Sequence, residues 1–320
     1  MRSQLALLAT AAAVASGLAL AAPATAAPVQ VAPAKAAPSI TSIVDAAAAA
    51  LAAKAPKRAD GLTEPIYWVH GIDWKGAASA DCKQWNAAIS RYKSLGAKGA
   101  QRTVAYYTKD KNCNTRIGKF PNHSGNLDDI GKALAWDIYN RYTKKNKSVD
   151  AVGHSMGGLI IRAAITGVQK KLKGWPPRLY VEDVVTISTP HTGSKLAFGC
   201  GGQCNDLIPG SSFLKWLSKN PQSTQGTDWT LIGAGDDDAV DWRSAVSTNS
   251  KSAGWMSAGH KVVFRSGQGL EHSKIYKIIS TRRAYKLRYW NFYRNAWITQ
   301  TTGASPVIVA RNANYYWRNW

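Results

Sequence analysis

The sequence predicts an α/β domain with a mostly parallel central sheet and helices on both faces. Three observations carry this. Short apolar runs alternate with stretches of helical periodicity, the pattern of strands joined by crossover helices. A chain of 320 residues is long enough for one large domain of this kind. And GHSMGG (153–158) places a serine between an apolar run, SVDAVG, and a helical run, LIIRAAITGVQKK.

The strands are read in order. PIYWVHG (65–71) is the first and RTVAYYT (102–108) the second. Between them DCKQWNAAISRYKSL (81–95) sets Trp85, Ile89 and Tyr92 at helical spacing. NLDDIGKALAWDIYNRY (126–142) places Leu127, Ile130, Leu134 and Ile138 on one helical face, with Asn126 as its cap. SVDAVG is the third strand, EDVVTIST (182–189) the fourth, DWTLIGAG (228–235) the fifth and HKVVFRSG (260–267) the sixth. In such sheets, sites gather at the carboxyl ends of the strands.

Four segments divide the chain. Residues 1–26 pair one arginine with an Ala/Leu run ending in A-T-A, and read as a secretory signal cleaved after Ala26. Residues 27–60 are rich in Ala, Pro and Lys and cannot bury a core, so they read as a linker or pro-segment. Residues 61–280 carry the strands and helices. Residues 281–320 are a basic aromatic extension, with ten aromatics, seven basic residues and no acid. That tail either stacks on sugars or bases or sits at a lipid interface, or forms a terminal β-like extension packing its aromatics on the domain. No recognition motif for nucleic acid accompanies it.

The formal net charge is +22. Such a charge favours polyanions, acidic surfaces or anionic lipid interfaces, or is a solvated basic surface. Four cysteines, Cys82, Cys113, Cys200 and Cys204, fit an exported protein. Of the three possible pairings, the local order favours Cys82–Cys113 and Cys200–Cys204. No C-x-x-C occurs to support a zinc site.

The serine has a physical logic. A chain that reverses from strand to helix within a few residues forces its apex residue into strained geometry and holds that side chain out. Residues two before and two after pass close by, hence Gly153 and Gly157. A serine hydroxyl is a poor nucleophile without a base and an orienting acid. For this sheet type the chain order is serine, acid, histidine. GAGDDDAVDW follows the fifth strand and SGQGLEHSKIY the sixth. The base is then His272, and the acid is Asp237, Asp236 or Asp238.

The other histidines are read differently. His154 packs beside the serine, and His70 orders the VHG loop. His191 precedes the acids, which is the wrong order; His260 starts a strand, and His123 lies in a loop. Two backbone N–H donors are needed for the developing oxyanion. Met156 follows the nucleophile, and Ile72 lies on the loop after the first strand.

VHGI, GHSMGG, STPHTGS, D-x-x-V at Asp237–Val240 and G-x-x-H at Gly269–His272 occur in this order. Together they resemble secreted bacterial lipases and esterases of the α/β-hydrolase superfamily, nearest to actinobacterial extracellular lipases and small Bacillus-type lipases. DLIPGSSFLKWL (206–217) is similar to a segment those lipases carry. The resemblance spans about residues 62–280. It implies Ser155 as the acyl-forming nucleophile, Ile72 and Met156 as oxyanion donors, and ester hydrolysis without an organic cofactor. Some relatives bind calcium, but no ligand set here transfers. The family's turn offers one acid where this chain has three, and Asp237 is chosen by its spacing to Val240.

The expectation is therefore a secreted, extracellular monomer that cleaves carboxylic esters of lipids. The rivals are a hydrolase of amides, thioesters or polyesters, and a surface- or polyanion-binding protein with an idle hydrolase core. Residues 194–227 are either a lid or wall above the serine or a stapled surface excursion.

Overall fold

The computed structural model describes residues 55–74, 79–121 and 125–316. The leader at 1–26, most of the 27–60 segment and His123 lie outside them.

Nine strands form one sheet in the order β3-β2-β1-β4-β5-β6-β7-β8-β9. They are β1 (Ile66–Val69), β2 (Gln101–Tyr107), β3 (Thr115–Phe120), β4 (Val149–His154), β5 (Val181–Ile187), β6 (Asp228–Ala234), β7 (His260–Phe264), β8 (Tyr285–Asn291) and β9 (Ala296–Gly303). Pairing is parallel from β3 through β7 and antiparallel at β7–β8 and β8–β9. The chain builds outward from β1 to β3 and then returns to lay β4 on the other side of β1. That reversal opens a crevice at the carboxyl ends of β1 and β4. This is an α/β-hydrolase-like fold, as the strand–helix alternation predicts.

The helices used below are α1 (Asn86–Ser94), α2 (Leu127–Arg141), α3 (Met156–Gln169), α4 (Cys204–Leu207), α5 (Ser212–Trp216), α6 (Trp242–Ala245) and α7 (Pro306–Tyr315). Strand alternation splits the core in two. Tyr67, Val69, Ala151, Val184 and Leu231 face one way, into a cluster with α2 and α3. Ile66, Trp68, Val152, Val185 and Ile232 face the other way, with Trp85 and Tyr92 and with Val307, Val309 and Ala310 of α7. Every residue of α3 from Met156 to Val168 is buried, so the helix behind the serine is a core element.

Both disulfides join the partners expected from chain order, Cys82–Cys113 and Cys200–Cys204. The first ties the loop after β1 to the β2–β3 loop, beside a bridge between Asp81 and Lys111. Residues 194–227 pack onto the α2/α3 face, burying Leu207, Phe213, Leu214 and Leu217. Asn126 takes the N-cap position of α2 but makes no side-chain cap bond. Asp206, from the insert, instead accepts the Leu127 N–H at 3.0 Å. A cap reached across 79 residues has no local sequence signal.

Two further differences concern the sheet edges. β3 was not expected: at an exposed edge only Thr115 of its residues is buried, so no apolar alternation marks it. Residues 285–303 form a hairpin hydrogen-bonded to β7, so the sheet continues across the boundary drawn at 280. α7 follows with a proline in its first turn, and the buried Tyr92 hydroxyl donates to Asn314 at 3.0 Å.

Candidate active site

β4 ends at His154 and α3 begins at Met156, leaving Ser155 alone at the reversal. Its backbone sits at φ 55°, ψ −133°, a conformation that costs on the order of 1–3 kcal/mol for a non-glycine residue. The surroundings enforce it. A Cβ on Gly153 would collide with the backbone of Gly157 and Gly158, and one on Gly157 with the carbonyls of Val69 and His70. Gly71 was not singled out from sequence, yet a Cβ there would press on the Ser155 side chain. Only glycine lets the β1 loop pass this close.

The Ser155 hydroxyl lies 2.9 Å from His272 Nε2. His272 Nδ1 lies 3.0 and 3.1 Å from the two carboxylate oxygens of Asp237. An ionised carboxylate only accepts, so Nδ1 carries the proton and Nε2 is left to accept from the hydroxyl. Burial pushes the Asp237 carboxyl up in pKa. The His272 hydrogen bond and charge, with the Val240 N–H as a further donor, outweigh it and hold the group below its ordinary value.

The register among the three aspartates is fixed by geometry, and all three act on the same loop. Asp236 accepts the N–H groups of Gly267, Gln268 and Leu270 at 2.6, 2.7 and 3.3 Å. Asp237 takes the imidazole. Asp238 accepts the His272 N–H at 3.0 Å. From behind, His154 Nε2 lies 2.9 Å from the His272 carbonyl; a carbonyl cannot donate, so His154 does. Burial, then the neighbouring His272, depresses the pKa of His154, consistent with a neutral ring packed against Tyr276 and His272.

The loop after β1 is held just as tightly. The Gly71 carbonyl accepts from His70 Nδ1 and from the Tyr106 hydroxyl, each at 2.8 Å. With no cis peptide among the described residues, the Ile72 N–H points opposite to that carbonyl. His70 Nε2 meets Asp110 at 3.1 Å. Asp110 in turn accepts the N–H groups of Tyr106, Tyr107 and Ala80. The Cys82–Cys113 disulfide clamps this same pair of loops. Asp110 and Tyr106 escaped the sequence reading because their contact with His70 spans 36 to 40 residues. Met156 opens α3, so its N–H has no partner within the helix.

The remaining histidines lie elsewhere. His191 bonds Thr186 at 3.0 Å and meets Arg162 at 3.4 Å, and burial depresses its pKa. His260 pairs with Asp228 at 3.2 Å. Arg162, on α3, is fully buried, and among the described residues no carboxylate pairs with it. Its guanidinium donates to the carbonyls of Ser218, Gly254 and Trp255 and ties the insert to the site helix. Burial lowers its pKa to about 9.

A cavity of about 360 Å³ opens above Ser155, lined by Ile72, Trp74, Gln84, His154, His272 and Tyr276 among others. No residue of 194–227 lines it. Among the described residues no group of three or more His, Cys, Asp or Glu is placed to hold a metal, and no helix is long and apolar enough to cross a membrane.

The sequence matches the family described as PGAP1-like alpha/beta domain over residues 78–233. That stretch contains the Ser155 elbow and stops before Asp237 and His272. No curated protein matches. Similar solved structures include Bacillus licheniformis lipase BlEst2 in its propeptide form, at 18% identity and TM-score 0.46, over 70% of this chain and 49% of that one. The present chain thus spans about half the length of that protein. The mature form of BlEst2 is similar at 19% identity and TM-score 0.42, over 69% and 89% of the two chains. Aspergillus fumigatus lipase B is similar at 14% identity and TM-score 0.40, over 65% and 46%.

Proposed function

We propose that the protein is a serine hydrolase that cleaves carboxylic esters, lipid esters among them, through an acyl-enzyme. One observation carries the reading: an unbroken hydrogen-bond line from Ser155 through His272 to Asp237, at 2.9 and 3.0 Å, begins at a strained elbow and faces a cavity. In this reading Ser155 Oγ attacks the ester carbonyl and His272 Nε2 takes its proton. Asp237 holds the ring and stabilises its cation. The carbonyl oxygen becomes an anion between the N–H groups of Ile72 and Met156. His272 returns the proton to the departing alcohol, and a water deprotonated by His272 then releases the acid.

The cavity favours one acyl chain over several. About 360 Å³ is near the lower end of ligand pockets, and its wall mixes Ile72, Trp74 and Tyr276 with polar side chains. Turnover of p-nitrophenyl esters from short to long acyl chains tests the reading, with Ser155→Ala alongside. The expected result is turnover in the parent and a loss of roughly three or more orders of magnitude in the variant. Equal inertness of both on every ester would sink the proposal.

We further propose that the chain is exported. The two disulfides suit an oxidising compartment, and the N-terminal 26 residues have the composition of a leader. N-terminal sequencing of exported protein is expected to read from Ala27; retention of Met1 would overturn this.

A further inference from the structure

We propose that the β8–β9 hairpin is a docking element for an anionic lipid surface, and that it holds the protein with Ser155 facing away from that surface. The direction follows from topology. Ser155, Asp237 and His272 follow the carboxyl ends of β4, β6 and β7. β8 runs antiparallel to β7, with Leu287 opposite Phe264 and Tyr289 opposite Val262. It therefore starts beside the site end of the sheet and finishes at the opposite end, where the 292–295 turn lies.

The turn is preorganised. Trp290 and Trp297 are cross-strand partners, in edge contact at 5.7 Å, and such pairs stiffen a hairpin. Asn291 Oδ1 accepts the Arg294 N–H at 2.8 Å. The Asn295 N–H donates to the Phe292 carbonyl at 3.2 Å, with Asn295 in the left-handed region at φ 48°. Arg288 lies over Trp242 and Trp297, at 4.4 and 5.0 Å from the ring centroids, and braces one face of the hairpin against α6.

This ordered turn presents Phe292 and Tyr293 at 74% and 88% exposure. No other large apolar side chain among those described as exposed reaches these values. The segment that carries them has charge of one sign. Residues 281–316 carry Arg282, Arg283, Lys286, Arg288, Arg294 and Arg311, and no acid. Beside the turn, a cleft of about 420 Å³ between the hairpin and α7 is lined by Arg283, Tyr289, Phe292, Tyr293, Asn312 and Tyr316 among others. Aromatic side chains held outward beside Arg294, on a segment that carries only positive charge, suit the boundary between acyl chains and anionic headgroups. Phe292 has no hydrogen-bonding group for a purely ionic polymer, which favours a lipid surface over a soluble polyanion.

Co-sedimentation of the full chain carrying Ser155→Ala, which prevents hydrolysis of the probe, tests this with two vesicle compositions. One is phosphatidylcholine alone; the other is a mixture with phosphatidylglycerol. Binding to the anionic vesicles only is expected at about 0.1 M salt, where exposed charges still act over roughly 10 Å. The double change Phe292→Ser with Tyr293→Ser is expected to weaken that binding about tenfold or more, by loss of the inserted apolar area. Thermal unfolding of that double variant should match the parent, and in the Ser155 background its ester turnover should be unchanged. Trp74→Ser, at the cavity mouth, should leave vesicle binding intact. Absence of vesicle binding would overturn the proposal. So would undiminished binding by the double variant, or loss of binding through Trp74→Ser alone. Binding to a soluble polyanion such as heparin that competes fully with vesicles and ignores the double change would also overturn it. None of these readouts uses turnover to score binding, so failure here is separate from failure of the ester-hydrolase reading.

Discussion

The two ends of the central sheet each gather carboxylates, and the fold treats them in opposite ways. At the carboxyl end, Asp236 and Asp237 are held below their ordinary pKa by converging donors. These are backbone N–H groups of the 267–270 loop for Asp236, and the His272 imidazole for Asp237. At the amino end, Asp150, Glu182 and Asp183 are pushed up, with burial the largest cause in each case. Glu182 rises to about 7. Asp150 receives one backbone N–H, from Asp183 at 3.2 Å, and the carboxylates around it add repulsion. Arg58 reaches Asp183 at 3.3 Å. The ionisable group is a carboxyl at both ends. The number of donors aimed at each carboxylate decides whether it stays an anion.

Taking the anion from the site end should have the largest effect. Asp237→Asn keeps the shape but offers His272 an amide, which can favour the wrong tautomer. If the proposed mechanism holds, kcat for a soluble ester falls by on the order of 10⁴, with little change in thermal unfolding. A loss below about tenfold would show that the Asp237–His272 bond does not orient the base. Asp236→Ala should do less. It removes the acceptor for three N–H groups of the loop that carries His272 but touches neither the ring nor the hydroxyl. A misplaced base costs about tenfold to a hundredfold in kcat, with KM nearly unchanged. A pure stability loss with kcat intact would reduce Asp236 to a structural tie.

How much of this was legible depended on the range of the physics. The elbow was readable because Gly153 and Gly157 sit two residues either side of Ser155; the crowding at Gly153 is local, from Gly157 and Gly158, whereas Gly157 is crowded by the carbonyls of Val69 and His70 from the β1 loop. The order of serine, acid and histidine followed from the alternation of strands and loops. Spacing to Val240 pointed to Asp237, and the structure hydrogen-bonds that residue to His272. It could not show that Asp236 and Asp238 brace the same loop, because their partners lie 31 to 34 residues away. The Asp110–His70 contact and the Asp206 cap were silent for the same reason. β3 was missed because an exposed edge strand needs no apolar face. The tail was left open between a packed extension and an exposed surface. The structure shows features of both, with Leu287 buried against the domain and Phe292 and Tyr293 outside it.

The smallest expected effect tests the other end of the sheet. Asp150 is completely buried, and its neighbours Asp183, Glu182 and Glu64 all disfavour its ionised form. Its folded pKa therefore lies above its unfolded value. Such a group contributes stability that is present in full below the unfolded pKa of about 3.9. The contribution is lost as pH rises, because the unfolded chain releases the proton first. Asp183 titrates in the same direction, although Arg58 opposes the shift. Asp150→Asn supplies a permanent analogue of the protonated side chain that can still accept the Asp183 N–H. Near pH 4 the variant should unfold within a degree or two of the parent, since that pH is close to the unfolded pKa, where little of the parent's protonation-linked stability is lost, and a conservative buried swap costs little. Toward pH 8 it should be the more stable of the two by roughly 1 kcal/mol, in line with replacing an unpaired buried charge. Unfolding temperatures from pH 4 to 9 would show it as a flattened profile. A parallel profile, displaced equally at every pH, would mean that Asp150 is ionised in the folded protein, and the contrast between the two ends of the sheet would then rest on Glu182 and Asp183 alone.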